Sequence, residues 1–189
     1  GKDKALARFG SYWFLCFILF LSSLLIAFSM PLEAGEFKHK NFETELPAGW
    51  FPKAHDQAEG LNVVFASPTG GGAVSFGFSV VEDNMDSRFL AERMAAQPSL
   101  KAKAWPLEGA DGIYAVEYKL HNTNRVVMVA FILGQRGLIY QQMGNVSEYG
   151  REIGILWNNL KSSDPEEQKV IDYARRNFLA TSQGHLYQK

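Results

Sequence analysis

The sequence predicts an α+β domain: an antiparallel β-sheet of about six to seven strands sandwiched by helices (α/β/α), with one extra helix on the C-terminal side. Three observations carry this. Segments of alternating polarity, separated by short turns, recur from residue 41 to residue 143. One of them, residues 125–133, is apolar on both faces, the mark of a central strand covered from two sides. Helical spacing interrupts the strands near residues 86–97 and takes over after residue 147. Helices inserted into a run of strands, and appended to it, pack against the sheet they interrupt.

In "NFETEL", Phe42, Thr44 and Leu46 face one way and Asn41, Glu43 and Glu45 the other, so a half-buried strand ends at Pro47. Leu61, Val63 and Phe65 repeat the pattern, and Val74, Phe76, Phe78 and Val80 resume it after "SPTGGG". That glycine run is no phosphate loop. No Lys-Ser or Lys-Thr follows it, and it leads into a strand, where a phosphate loop must open a helix. It reads as a flexible hairpin connection. Asp86 or Ser87 caps a helix with the stripe Phe89, Leu90 and Met94, closed by Pro98. A weaker strand spans residues 101–107. Then Tyr114, Val116, Tyr118 and Leu120 point inward while Glu117 and Lys119 point out. "GQRG" turns the doubly apolar strand back into "LIYQQM". Ser147 caps a helix carrying Tyr149, Ile153, Leu156, Trp157 and Leu160. Gly150 and Gly154 flank that stripe and suit close packing on a sheet, since Arg151, Glu152 and Asn158 rule out a membrane dimer face. The last helix opens with Asp164 as cap and Pro165 at its first position, and buries Val170, Ile171, Ala174 and Phe178.

Residues 1–34 read as a signal peptide or N-terminal membrane anchor. Lys2, Lys4 and Arg8 precede an uncharged stretch, residues 9–32, and Ala34 supplies a small residue for cleavage. The stretch approaches the roughly 20 apolar residues that span a bilayer. On either reading the basic end stays in the cytoplasm and everything after Ala34 is exported, periplasmic or on the outer face of the cytoplasmic membrane. Membrane contact is expected only through residues 9–32, if they stay uncleaved. Cys16 lies within this stretch, so residues 35–189 have no disulfide, thiol nucleophile or cysteine-based metal site. They are long enough for one real core and too few for two. Removing Lys2, Lys4, Arg8, Asp3 and Glu33 from 19 basic and 20 acidic residues leaves a net charge of −2. Without a long basic run, no nucleic-acid partner is expected. Lys38, His39 and Lys40 read as a solvated linker, too few for lipid recognition.

The stretch "FETELPAGW", the two strands and helix that follow, "GADGIYAVEY", "GQRGLIYQ" and the closing "ILWNNLKSS" resemble the PsbP-like family. Its fold is shared by the extrinsic PsbP subunit of photosystem II, a Ran-binding nuclear-import factor and exported bacterial PsbP-like proteins. The resemblance implies a PsbP-like domain over residues 35–163, acting without catalysis through protein contacts or assembly. It implies no residue-level site. The segment 164–189 lies beyond the domain's usual end and is expected as an appended helix and tail.

The residues themselves offer few chemistries. His39, His55, His121 and His185 are scattered, no His-x-x-x-His pairing occurs, and no Gly-x-Ser-x-Gly elbow is present. In "HDQAEG", His55, Asp56 and Glu59 are candidate metal ligands or an acid–base pair, weighed against a polar loop between the first two strands. In "EDNMD", Glu82, Asp83 and Asp86 are candidate Ca²⁺ ligands, weighed against helix capping, because the turn glycine and closing glutamate of a calcium loop are missing. Trp50, Phe51 and Trp105 sit at turns or a weak strand beside prolines, and are candidates for a partner-binding groove or for sealing the edge of the core. The expectation is a non-catalytic exported domain, a protein-binding or assembly accessory of the cell envelope with an envelope or membrane protein as partner. A domain for a small ligand or divalent metal is the alternative. No cofactor is expected; a divalent metal is possible.

Overall fold

A computed structural model describes residues 33–58, 60–120, 124–181 and 184. The expected leader, residues 1–32, lies outside the described residues, as do Glu59, His121 and His185. The elements are β1 (Gly35–His39), β2 (Phe42–Leu46), β3 (Phe51–Gln57), β4 (Gly60–Ala66), β5 (Gly72–Val80), α1 (Ser87–Ala95), β6 (Lys103–Pro106), β7 (Tyr114–Leu120), β8 (Asn124–Leu133) and β9 (Arg136–Gly144). A 3₁₀ turn (Val146–Tyr149), α2 (Gly150–Asn159), β10 (Lys161–Ser162) and α3 (Pro165–Leu179) complete them. Seven strands form one sheet in the order β3-β4-β5-β9-β8-β7-β6, and β1-β2-β10 form a second. All their pairings are antiparallel. The predicted class, an α+β sheet between helices, is the one found.

Alternation splits the large sheet into two faces. On the first, Val63 and Phe65 of β4, Val74, Phe76 and Phe78 of β5, Tyr140 of β9 and Phe131 of β8 join one core with β2, α2 and α3. Its centre is aromatic. Trp157 stacks on Phe178 at 4.7 Å between ring centres, and Phe76 and Tyr140 each stand 5.0 Å from Trp157. Such pairs add about 0.5–1.5 kcal/mol each beyond their burial. On the second face Val64, Val116, Tyr118, Val126 and Met128 pack with Ala91 and Met94 of α1. The doubly apolar strand, β8, is therefore covered from both sides; β9, also buried on both faces, holds the middle of the sheet.

Several expectations change. Lys38 and His39 belong to a strand, β1, which pairs with β2 and sends Phe37 against Phe42 and Phe65. The segment expected as a polar loop before the second strand is largely strand β3, paired to β4 over its whole length. Ser147 caps no helix: its hydroxyl donates to Asn145 Oδ1, and α2 begins without a side-chain cap. Asp86 and Asp164 do cap, accepting from the N–H of Phe89 (2.7 Å) and of Glu166 (2.8 Å). The helix after Asp164 is no appendage in its packing. Val170, Ile171, Ala174 and Phe178 are all buried in the first core. Arg175 reaches back to donate to the carbonyl oxygens of Trp157 (2.9 Å) and Leu160, satisfying the carbonyl end of α2.

Candidate functional site

The pairing of β3, β4 and β5 brings a set of polar side chains onto the second face. His55 stands opposite Asn62 and Asn62 opposite Gly77, while Lys53, Val64 and Ser75 form the next row and Gln57, Gly60 and Ser79 the row beyond. The helix on this face, α1, packs against β6, β7 and β8. The described α-helices have their main packing away from the β3–β4–β5 half.

On that half, His55 Nε2, Gln57 Nε2, both polar atoms of the Asn62 side chain, Ser75 Oγ and Ser79 Oγ are buried with no hydrogen-bond partner. Among the described residues only Trp157 Nε1 shares that state elsewhere. Asn62 is 1% exposed and Ser75 0%. Folded proteins pair roughly 90% or more of such groups, and each one left alone costs about 1–3 kcal/mol. Six such atoms lie together on one half-face, a polar layer held inside the fold at a cost in stability. Glycines keep its floor low. A Cβ at Gly77 would lie 3.3 Å from Asn62 Oδ1, and one at Gly137, opposite Ser79, would lie 3.5 Å from Ser79 Oγ. At about 4.8 Å between strands and 3.3 Å per residue, the floor measures roughly 10 by 13 Å. Lys53, His55 and Gln57 on β3 are half-buried as residues, while the Nε2 atoms of His55 and Gln57 are closed off from solvent.

The floor is close to neutral. Burial is the main force holding the His55 imidazole below its ordinary value, the Lys53 ammonium adds to it, and Asp56 opposes both. Asp56 itself follows His55 on a strand and so faces the opposite side. There it accepts from His39 Nε2 at 2.9 Å and pairs with Lys40 at 3.1 Å. The His39 hydrogen bond, then that of Lys40, hold its carboxyl below the usual range.

His55 and Asp56 therefore do not converge. Asp83 accepts from Gln135 Nε2 at 3.0 Å, Asp86 caps α1, and Glu82 is exposed at the head of that turn. Among the described residues, no three His, Cys, Asp or Glu side chains come together as a cation site. The aromatic candidates separate as well. Trp50 is 1% exposed and sets its ring edge-on to Tyr149 at 5.5 Å, so it belongs to the core and offers a partner no surface. Phe51 on β3 and Trp105 on β6 lie on opposite edges of the seven-stranded sheet, about 29 Å apart at ordinary strand spacing. They line no common groove. Phe51 shares the face of Lys53 and His55, at the margin of the floor.

A separate cleft of about 400 Å³ lies between the small sheet, the end of α2 and α3, lined by Glu36, Thr44, Asn158, Lys161, Gln168 and Arg175 among others. Several of its polar groups are engaged within the protein. Thr44 donates to Leu156 O at 2.9 Å, and Gln168 accepts from Ser162 N at 2.8 Å.

No protein-family model matches the chain, and no curated protein does. Among solved structures, the chain is similar to the solution structure of cyanobacterial PsbP (CyanoP) from Synechocystis sp. PCC 6803, with 13% sequence identity and a TM-score of 0.44. The match covers 69% of this chain and 92% of that one. No residue role passes with that likeness.

Proposed function

We propose that the chain is a non-catalytic exported domain serving as a protein-binding or assembly accessory in the cell envelope. The observation that carries this reading is β3, an edge strand of the seven-stranded sheet whose residues stay half-exposed, with buried unpaired amide and hydroxyl groups on β4 and β5 behind it. A catalytic site sets a base against a nucleophile or a metal. Here His55 has its neighbouring carboxylate, Asp56, on the far side of the strand. The test is affinity purification of the full-length, C-terminally tagged protein from its native membranes in mild detergent, beside Asn62→Leu. A stoichiometric protein partner that the folded variant loses is the expected result. A partnerless monomer would sink the reading.

The 400 Å³ cleft favours a second reading, a small polar ligand held beside Arg175, since ligand pockets commonly measure about 300–1,000 Å³. A rise in melting temperature with small polar metabolites, abolished in Lys161→Ala, would support it.

A further inference from the structure

We propose that the cleft between the small sheet, α2 and α3 takes a zwitterion of dipeptide size, its ammonium end held by Glu36 and Glu45 and its carboxylate by Arg175 and Lys161. This names the ligand class for the small-ligand reading and rests on it. The two signs come from different elements of the lining: β1 and β2 supply the carboxylates, β10 and α3 the cations. Glu36 stands directly opposite Glu45 across the strands, and like charges so placed repel each other. Neither forms an ion pair with any described residue. Glu43, two residues before Glu45 and on the same face, hydrogen-bonds Glu36 and adds its own charge. Together these hold the Glu36 carboxyl above its ordinary range. An ammonium group between Glu36 and Glu45 relieves that crowding.

Arg175 suits the other end. A guanidinium carries five N–H donors in a fixed fork. Nε and Nη2 donate to the carbonyl oxygens of Trp157 and Leu160, which fixes the side chain, and Nη1 reaches Asp172 at 3.4 Å. One N–H on each Nη is left over, and such a pair can grip a carboxylate through two bonds. Lys161, exposed and 3.8 Å from Glu43, adds a second cation. Two carboxylates against two cations leave the lining balanced, so a ligand of single charge answers one wall and leaves the other unanswered. A bare metal ion fits less well, since among the described residues no three His, Cys, Asp or Glu side chains converge on one point. Asn158, also in the lining, makes no hydrogen bond to any described residue. Its carboxamide offers a donor and an acceptor to a peptide group. Size agrees. At about 30 Å³ for each water-sized group, 400 Å³ holds roughly a dozen non-hydrogen atoms, as a dipeptide has.

The experiment titrates the purified full-length protein, in mild detergent and low salt, with glycylglycine, ethylamine and propionate, by calorimetry and by melting temperature. The expected result is that glycylglycine binds, with ethylamine and propionate about tenfold weaker, since each forgoes the charge-assisted hydrogen bonds of one wall. Glu45→Gln, on an exposed side chain, should weaken glycylglycine about tenfold and leave propionate unchanged. The free variant should melt no lower than the parent, because it loses the repulsion with Glu36, so weaker binding is not loss of the fold. Lys169→Ala, exposed on α3 outside the lining, should change neither ligand. Propionate binding as tightly as glycylglycine, or glycylglycine binding undiminished in Glu45→Gln, overturns the inference and leaves the cleft reading standing. Ethylamine matching glycylglycine overturns it in the same way. Neither heat nor a melting shift from any of the three removes both.

Discussion

The two faces of the seven-stranded sheet are made from the same strands and do opposite things. The first face is closed. Trp157 and Phe178 stack at its centre, and α2, α3 and the small sheet cover it. On the second face, α1 packs over β6, β7 and β8, and the β3–β4–β5 half keeps six polar atoms buried and unpaired. Shape alone does not explain the difference, because β4 and β5 alternate in the same way on both sides. One side has been filled for stability, while the other gives stability up.

The largest test strikes the closed face. Phe178→Ala removes a ring packed on Trp157, Phe131 and Tyr140 and should cost about 3–5 kcal/mol in urea unfolding. A loss below about 1 kcal/mol would mean that α3 is the appendage the sequence suggests. The floor should answer with the reverse sign. Asn62→Leu withdraws two unpaired atoms and should stabilise the free domain by about 1–3 kcal/mol; destabilisation would erase the contrast between the faces. A smaller effect belongs to the cap of α3. Asp164→Ala gives up the hydrogen bonds to Glu166 N and Glu167 N and should cost about 1 kcal/mol.

The smallest effect is pH dependence at the floor's margin. Because burial and Lys53 hold His55 below its ordinary value near 6.5, the unfolded chain takes up the proton first as pH falls. Stability from this group is complete above about pH 6.5 and declines as pH drops through and below it. His55→Gln should flatten that slope in melts recorded between pH 5 and 8. An unchanged slope would place the titrating group elsewhere.

What could be read from the chain follows the same division. Phe42-Thr44-Leu46, Val74-Phe76-Phe78 and the apolar run of β8 declare their strands by period, and Asp164-Pro165 declares its helix by capping. β3 gave no such signal. "FPKAHDQ" carries a proline and four polar residues, because an edge strand half-exposed on both faces needs no alternation. β1 has one inward anchor, Phe37. The floor was less legible still. Ser75 sits between inward-facing Val74 and Phe76, and Ser79 follows Phe78, so both read as a solvated face; the burial of their hydroxyls is a property of the folded sheet. The grouping of His55 with Asp56 does not survive the fold. The neighbour of His55 in sequence, Asp56, points away, and its neighbours in space, Asn62 and Gly77, arrive from other strands. Trp50 beside a glycine turn looks like a loop anchor, and only tertiary packing on Tyr149 makes it core.

The two-residue strand β10 has an effect out of proportion to its length. It binds β2 through Lys161–Glu43 and Ser162–Phe42, and Ser163 fastens to Asn41 by backbone and side chain at 3.0 Å each. Sequence-distant segments thus close on each other, with Phe178 completing the core only after them. The aromatic face of the sheet is lidded only when α3 lies against it, so the segment carrying Phe178 must be present before the first core can close. Pairing between segments this far apart in sequence is slow compared with local contacts.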